Sequence, residues 1–217
     1  MIKREQYMSR VRPFIDKAVI KVLTGIRRCG KSVMLELIQE ELKERGVKDH
    51  QILALNFEDL ANADLAEYHK LHEAVMAKAE EEPELRYLFF DEIQEVQEWE
   101  RCVNSLLSKG TFDIYITGSN AKLLSGELAT FLAGRYIEIH VFPFSFEEFI
   151  ELYSKVENQQ PLEWHFNRYI QFGGFPFLQH FIEDDTAVAQ YLKDIYSSVL
   201  IKDVMKRNSF RDVDLLE

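Results

Sequence analysis

A mostly apolar, β-branched run from Ala18 to Thr24 ends abruptly at Gly25, and an amphipathic pattern takes over at Ser32. That strand-glycine-helix passage limits the fold more than any other feature of the chain. The run reads as one buried strand entering a turn. From Ser32 to Arg45 the apolar residues Val33, Met34, Leu37, Ile38 and Leu42 recur at three- and four-residue steps, with Lys43 and Arg45 in the last turn and Gly46 as the stop. The same alternation continues downstream. Ile52 to Phe57, Tyr87 to Phe90, Asp113 to Thr117 and Tyr136 to Val141 read as strands, with helices expected over Leu65 to Ala79 and around Trp99, Cys102, Val103, Leu106 and Leu107. Strands alternating with helices give an α/β class, a parallel sheet sandwiched by helices. Beyond Pro143 the pattern becomes helical, over Phe146 to Tyr153, Leu162 to Phe172 and Val188 to Lys206, with the turn Gly173-Gly174-Phe175-Pro176 between the last two. The expected division is a core over 1–143 followed by a small helical domain over 144–217.

The connection between the first strand and its helix carries chemistry. Gly25-Ile26-Arg27-Arg28-Cys29-Gly30-Lys31-Ser32 matches the P-loop pattern G-x-x-x-x-G-K-[ST] at every fixed position. The glycines let the backbone turn its N–H groups inward, at a helix N-terminus whose dipole also favours phosphate. Lys31 supplies a mobile charge for the β- and γ-phosphates, the Ser32 hydroxyl a ligand for Mg2+, and Val33 follows in the first helical turn. Arg27 and Arg28 are open between nucleotide contacts and solvated loop charges. The expected fold is therefore a P-loop NTPase.

Leu88-Phe89-Phe90-Asp91-Glu92 places two carboxylates after a buried strand, where the C-terminal ends of an open α/β sheet face the ligand. The pair lies about sixty residues after the loop, a spacing typical of two P-loop partners. Asp91 would hold the magnesium shell, and Glu92 would orient and deprotonate the attacking water. A kinase must keep water from the γ-phosphate, so the second carboxylate favours hydrolysis. No guanine-specifying N-K-x-D follows a later strand, which favours ATP over GTP.

Composition narrows the partners. The formal net charge of −11 disfavours wrapping nucleic acid, and no run approaches the ~18 apolar residues of a membrane span. Cys29 and Cys102 stand far apart, with no disulfide or zinc framework, so a reducing cytoplasm is expected. His69 and His72 stand at helical spacing without a third metal ligand nearby, and Phe142 to Phe149 reads as aromatic core.

Four segments together carry a resemblance: Ile20 to Ser32, Phe90-Asp91-Glu92-Ile93-Gln94, Ile116 to Ser125 and Gly173-Gly174-Phe175-Pro176. They resemble the prokaryotic AAA+-like ATPases of the AAA_14 and DUF4143 type, related to archaeal-type and STAND P-loop ATPases. The leading expectation is Mg-ATP hydrolysis whose turnover moves the helical domain, against a nucleotide-gated interaction switch with negligible turnover and a P-loop phosphotransferase acting on a small molecule. The resemblance implies Ser119 and Asn120 as a sensor of the γ-phosphate or the attacking water, against a turn cap. It implies Arg135 as an arginine finger delivered by a neighbouring subunit of a homo-oligomer or by domain closure, against a surface arginine. Gly174 and Pro176 would line the adenine, against an ordinary helix-helix turn. Members of the family continue past this length, so the chain reads as the N-terminal portion of a longer protein whose client is not encoded here.

Overall fold

The computed structural model describes residues 2–118, 132, 134–154 and 160–199. Among them, β1 (Ile20–Thr24), β2 (Ile52–Asn56), β3 (Tyr87–Asp91), β4 (Asp113–Thr117) and β5 (Tyr136–His140) form one sheet in the order β2-β3-β4-β1-β5. Every pairing is parallel, so the chain must cross back over a face between strands. The described helices are α1 (Glu5–Val11), α2 (Lys31–Glu44), α3 (Tyr68–Glu81), α4 (Trp99–Ser108), α5 (Phe146–Ser154), α6 (Leu162–Phe172) and α7 (Asp185–Val199).

Contacts divide the described chain into two compact units, one of residues 5–25 and 31–140, the other of residues 2–4, 26–30 and those from 141 onward. In the first, β1, β3 and β4 are buried at every position, which is why they read as continuous apolar runs rather than alternating ones. Alternate residues nevertheless serve different faces. Ile20, Val22, Leu88, Phe90, Ile114 and Ile116 form one cluster with Leu71 and Val75 of α3 and Cys102, Val103 and Leu106 of α4. On the other side, packed by α2, Phe89 stacks on Tyr115 with ring centroids 4.6 Å apart. Each such side chain contributes about 1.5–3 kcal/mol of burial.

One lysine interrupts that apolar pattern. Lys21 is fully buried, and its ammonium donates to Lys17 O at 2.9 Å and to the Asp113 carboxylate. Asp113 Oδ2 also accepts from Asp16 N at 2.8 Å and Tyr115 OH at 3.0 Å. Burial lowers the lysine pKa while Asp113 opposes the shift. The partners make a buried charge tolerable in a central strand.

The second unit packs Phe149, Leu178, Ile182 and Val188 with Phe146, Tyr169, Phe175 and Tyr191 around them. Phe142, expected in the aromatic core, is instead 59% exposed, whereas Phe144 and Phe149 are buried. Other departures are local. α1 is an additional helix, held by buried Tyr7, Met8 and Val11. Leu65 closes a 3-10 segment, and α3 begins only at Tyr68, where an isolated parallel bridge joins Glu67 to Gln97. In α2 the inner stripe takes Leu35 while Val33 is 37% exposed. The expected helix after Val188 begins earlier, at Asp185, and its stretch over 200–206 lies outside the described residues. No described helix is long and apolar enough to cross a membrane.

Candidate functional site

The loop between β1 and α2 is built from unusual backbone. Gly25, Arg28 and Gly30 have φ of 145°, 63° and 98°. Left-handed residues placed between right-handed ones are what turns successive amides toward one side in an anion nest, and Arg28 and Gly30 supply the positive φ such a turn needs. Glycine adopts these angles freely, but Arg28 does so at a cost of about 1–3 kcal/mol. Its guanidinium lies over the Tyr191 ring, 5.7 Å from the centroid. Arg27 is partly buried, and Cys29 is wholly buried. The loop leads directly into the first turn of α2, where the helix dipole favours an anion.

Lys31 opens that helix, and in the sheet unit its ammonium lies 3.7 Å from Glu92 Oε1. Lys31, Asp91 and Glu92 are 4%, 7% and 8% exposed, so this small charged group is largely withdrawn from solvent. Strand order explains how the partners meet. β4 separates β1 from β3, a gap of about 10 Å at the usual inter-strand spacing, which the lysine and glutamate side chains cover between them. Ser32 and Asp91 line the same cavity of about 320 Å³, together with Asn56 at the tip of β2.

Two groups that orient the carboxylates were not identified from sequence. The Thr117 hydroxyl, fully buried at the end of β4, donates to Asp91 Oδ1 and accepts from Glu92 N at 2.9 Å. Gln94 Nε2 donates to Glu92 Oε2 at 2.5 Å. Gln94 Oε1 is buried and has no partner among the described residues. Glu92 itself has left-handed backbone (φ 53°, ψ 48°) and begins a 3-10 turn, so the strand breaks where the second carboxylate must turn toward Lys31. A hydroxyl residue ending a buried strand was the only sequence mark of Thr117, and the neighbour it serves appears only with the strand order.

Among the described residues no cluster of three or more His, Cys, Asp or Glu could cage a metal. The oxygen donors Ser32 and Asp91 on one cavity fit Mg2+, which takes one or two protein ligands and completes its shell with phosphate and water. His72 instead pairs with the Ser105 hydroxyl at 3.1 Å, and His69 lies 3.6 Å from Glu67.

Arg135 precedes β5, and its carbonyl accepts from Ile20 N at 3.0 Å. It therefore sits where β1 begins, a whole strand away from the loop that follows Thr24. Arg135 is exposed and donates to Asn104 Oδ1 at 3.1 Å. In the helical unit, a Cβ on Gly30 would stand 3.7 Å from Pro176 Cγ, which brings Pro176 beside the loop. Gly174 has a packing task, since a Cβ there would lie 2.1 Å from Phe144 O, and its carbonyl accepts from Phe144 N at 2.7 Å. Ser119 and Asn120 lie outside the described residues.

Comparison with known proteins assigns the chain. The AAA_14 model, described as an AAA domain, matches residues 17–150, the sheet and its phosphate-type loop included. The chain belongs to the AAA_14 family. An uncharacterized protein of Haemophilus influenzae is 36% identical over 217 residues, all of this chain and 54% of that protein. An uncharacterized protein of Methanocaldococcus jannaschii is 35% identical over 205 residues, 89% of this chain and 44% of that one. The AAA_14 chain thus spans about half the length of these relatives. Saccharomyces cerevisiae Hsp104 in its ADP complex is similar in structure with a TM-score of 0.59 at 16% identity, over 100% of this chain and 36% of that one. An Hsp104:casein complex gives 0.50 at 16% identity, over 80% and 31%. These likenesses show the fold, a P-loop NTPase sheet flanked by helices.

Proposed function

We propose that this AAA_14 chain binds ATP with Mg2+ and hydrolyses it, and that turnover shifts its helical unit. The observation that carries the reading is the group formed by Lys31, Ser32, Asp91 and Glu92, with the ammonium beside one carboxylate and the hydroxyl and the other carboxylate on one cavity. In this reading the amides of residues 25–30 and the Lys31 ammonium hold the phosphate chain, and Ser32 and Asp91 hold the metal. Bound Mg2+ supplies charge neutralisation and orientation of the phosphate oxygens. Glu92, held by Gln94 and Thr117, takes a proton from water as the water oxygen bonds the γ-phosphorus. The bond from phosphorus to the β,γ-bridging oxygen breaks, and ADP keeps its electron pair. In this reading an incoming phosphate engages the Lys31 ammonium, which lies beside Glu92, and Glu92 acts as the base.

Val33, Gly174 and Pro176 are assigned to the nucleotide's surroundings, and Ser119 and Asn120 to sensing the γ-phosphate. Arg135 is assigned as a finger delivered by a second copy of the chain or by domain closure. A rate that rises with protein concentration and is lost in Arg135→Ala tests that role. Residues 26–30 belong to the same compact unit as α5–α7, which supports transmission of nucleotide state to the helices. Cys29 and Cys102 are buried and neither forms a disulfide, which fits a reducing cytoplasm.

Phosphate release tests the assignment. Glu92→Gln retains Mg-ATP and loses about 10²- to 10⁴-fold in rate; hydrolysis at the parental rate would remove Glu92 from the role of base. A second reading, a nucleotide-gated switch with negligible turnover, draws on the engagement of Glu92 by Lys31 and Gln94. Tight Mg-ATP binding by the parent without phosphate release at any protein concentration would select it.

A further inference from the structure

The N-terminal segment brings a buried arginine to the phosphate loop. Arg4 is 4% exposed and has left-handed backbone, with φ 45°. Its Nε and Nη2 grip Glu148 Oε1 and Oε2 at 2.8 and 3.2 Å, Nη2 also donates to Phe142 O at 2.8 Å, and Nη1 donates to Cys29 O at 3.1 Å. The guanidinium lies over the Phe144 ring, 5.0 Å from its centroid. A Cβ on Gly30 would come within 3.5 Å of Arg4 Nη1. Residues 4, 26–30 and 141 onward all belong to the helical unit.

The Cys29 carbonyl and the Gly30 N–H belong to one planar peptide, and the described chain has no cis bonds. In a trans peptide the two groups point in opposite directions. A hydrogen bond that draws the carbonyl toward Arg4 therefore aims the Gly30 amide away from it. The other end of the contact is equally fixed. Glu148 Oε2 accepts from Ser145 N at 2.9 Å while Glu148 N donates to Ser145 Oγ at 3.2 Å, a reciprocal cap at the start of α5.

We propose that Arg4 is a positioning residue: it sets the plane of the Cys29–Gly30 peptide for phosphate and ties that plane, through Glu148, to the N-terminus of α5. This deepens the ATP-binding reading and rests on it. Lysine cannot replace the arginine, because one ammonium cannot grip both carboxylate oxygens and still reach two carbonyls in the same planar fork. Occupancy of the loop and the position of α5 are thereby one mechanical variable.

The test uses the full chain, with Mg-ADP titrated by calorimetry and the nucleotide-free protein melted in parallel. Arg4→Lys weakens Mg-ADP about tenfold, the equilibrium effect of losing one charge-assisted hydrogen bond. In steady-state hydrolysis KM rises by a similar factor and kcat changes less. Glu148→Gln, which keeps the side-chain shape, weakens Mg-ADP several-fold in the same direction. A purely structural arginine would lower the melting temperature in both variants and leave Mg-ADP affinity at the parental value, and that result overturns the proposal. Absence of Mg-ADP binding by the parent would instead sink the nucleotide reading itself, so the two failures are distinguishable.

Discussion

Thr117→Val is the sharpest perturbation of the acidic pair, because valine fills the volume of threonine and removes only its hydrogen bonds. The Thr117 hydroxyl is fully buried, donates to Asp91 Oδ1 and accepts the Glu92 amide at 2.9 Å. Losing a hydrogen bond to a charged group costs about 1.5–3 kcal/mol, and stranding the buried amide costs about 1–3 kcal/mol more. With low-end values for both, to allow for relaxation, the variant loses about 2.5 kcal/mol. In a chain of this size that lowers Tm by about 5–10 °C. Thr117→Ser keeps the hydroxyl and gives up one methyl, about 0.8 kcal/mol, so it melts only a few degrees below the parent. Differential scanning calorimetry separates the two. The valine variant also hydrolyses Mg-ATP about tenfold more slowly, since Asp91 and Glu92 lose their common anchor. If Thr117→Val melts with Thr117→Ser, the hydroxyl does not organise the carboxylates and the reasoning fails.

Lys21→Met strands Asp113 as an uncompensated buried charge and destabilises the chain by about 3–5 kcal/mol; adding Asp113→Asn, which removes the charge and keeps an oxygen to accept from Asp16 N and Tyr115 OH, recovers part of the loss in denaturant titration, and no recovery would contradict the network. Hydrogen bonds from Arg12, then burial acting against them and Arg45 acting with them, leave the Glu41 carboxyl below its ordinary pKa. That contribution is present above the unfolded carboxylate pKa and is lost as pH falls through the folded one. Glu41→Gln therefore melts below the parent at pH 7 by about 1 kcal/mol equivalent, discounted because Arg12 is 35% exposed. The gap closes in melts below about pH 4, and a gap constant with pH would refute the pairing.

The sheet was legible because its information is local. Leu88 to Phe90 and Ile114 to Ile116 are apolar runs of strand length, and Gly25 and Gly30 stand where φ is positive. The candidate site was legible where it follows a strand tip in sequence, at Lys31, Ser32, Asp91 and Glu92. Groups acting through tertiary partners were not. Arg4 belongs to a polar N-terminal stretch until Glu148 and the Cys29 carbonyl are brought to it, and Thr117 is one more strand residue until β4 lies beside β3. Lys21 broke the strand pattern for a reason visible only with Asp113 in place. Val33 and Leu35 exchange inner and outer positions because helical periodicity locates a stripe only to within about one residue when both are apolar.

Titration calorimetry of Mg-ATP into the parent and into Lys31→Ala tests the central claim most directly. The parent binds one nucleotide per chain saturably and in dependence on Mg2+, and the binding is lost when the ammonium is removed. A parent that takes up no Mg-ATP, or an alanine variant that binds it as tightly, would contradict the claim that this loop and its lysine hold a triphosphate.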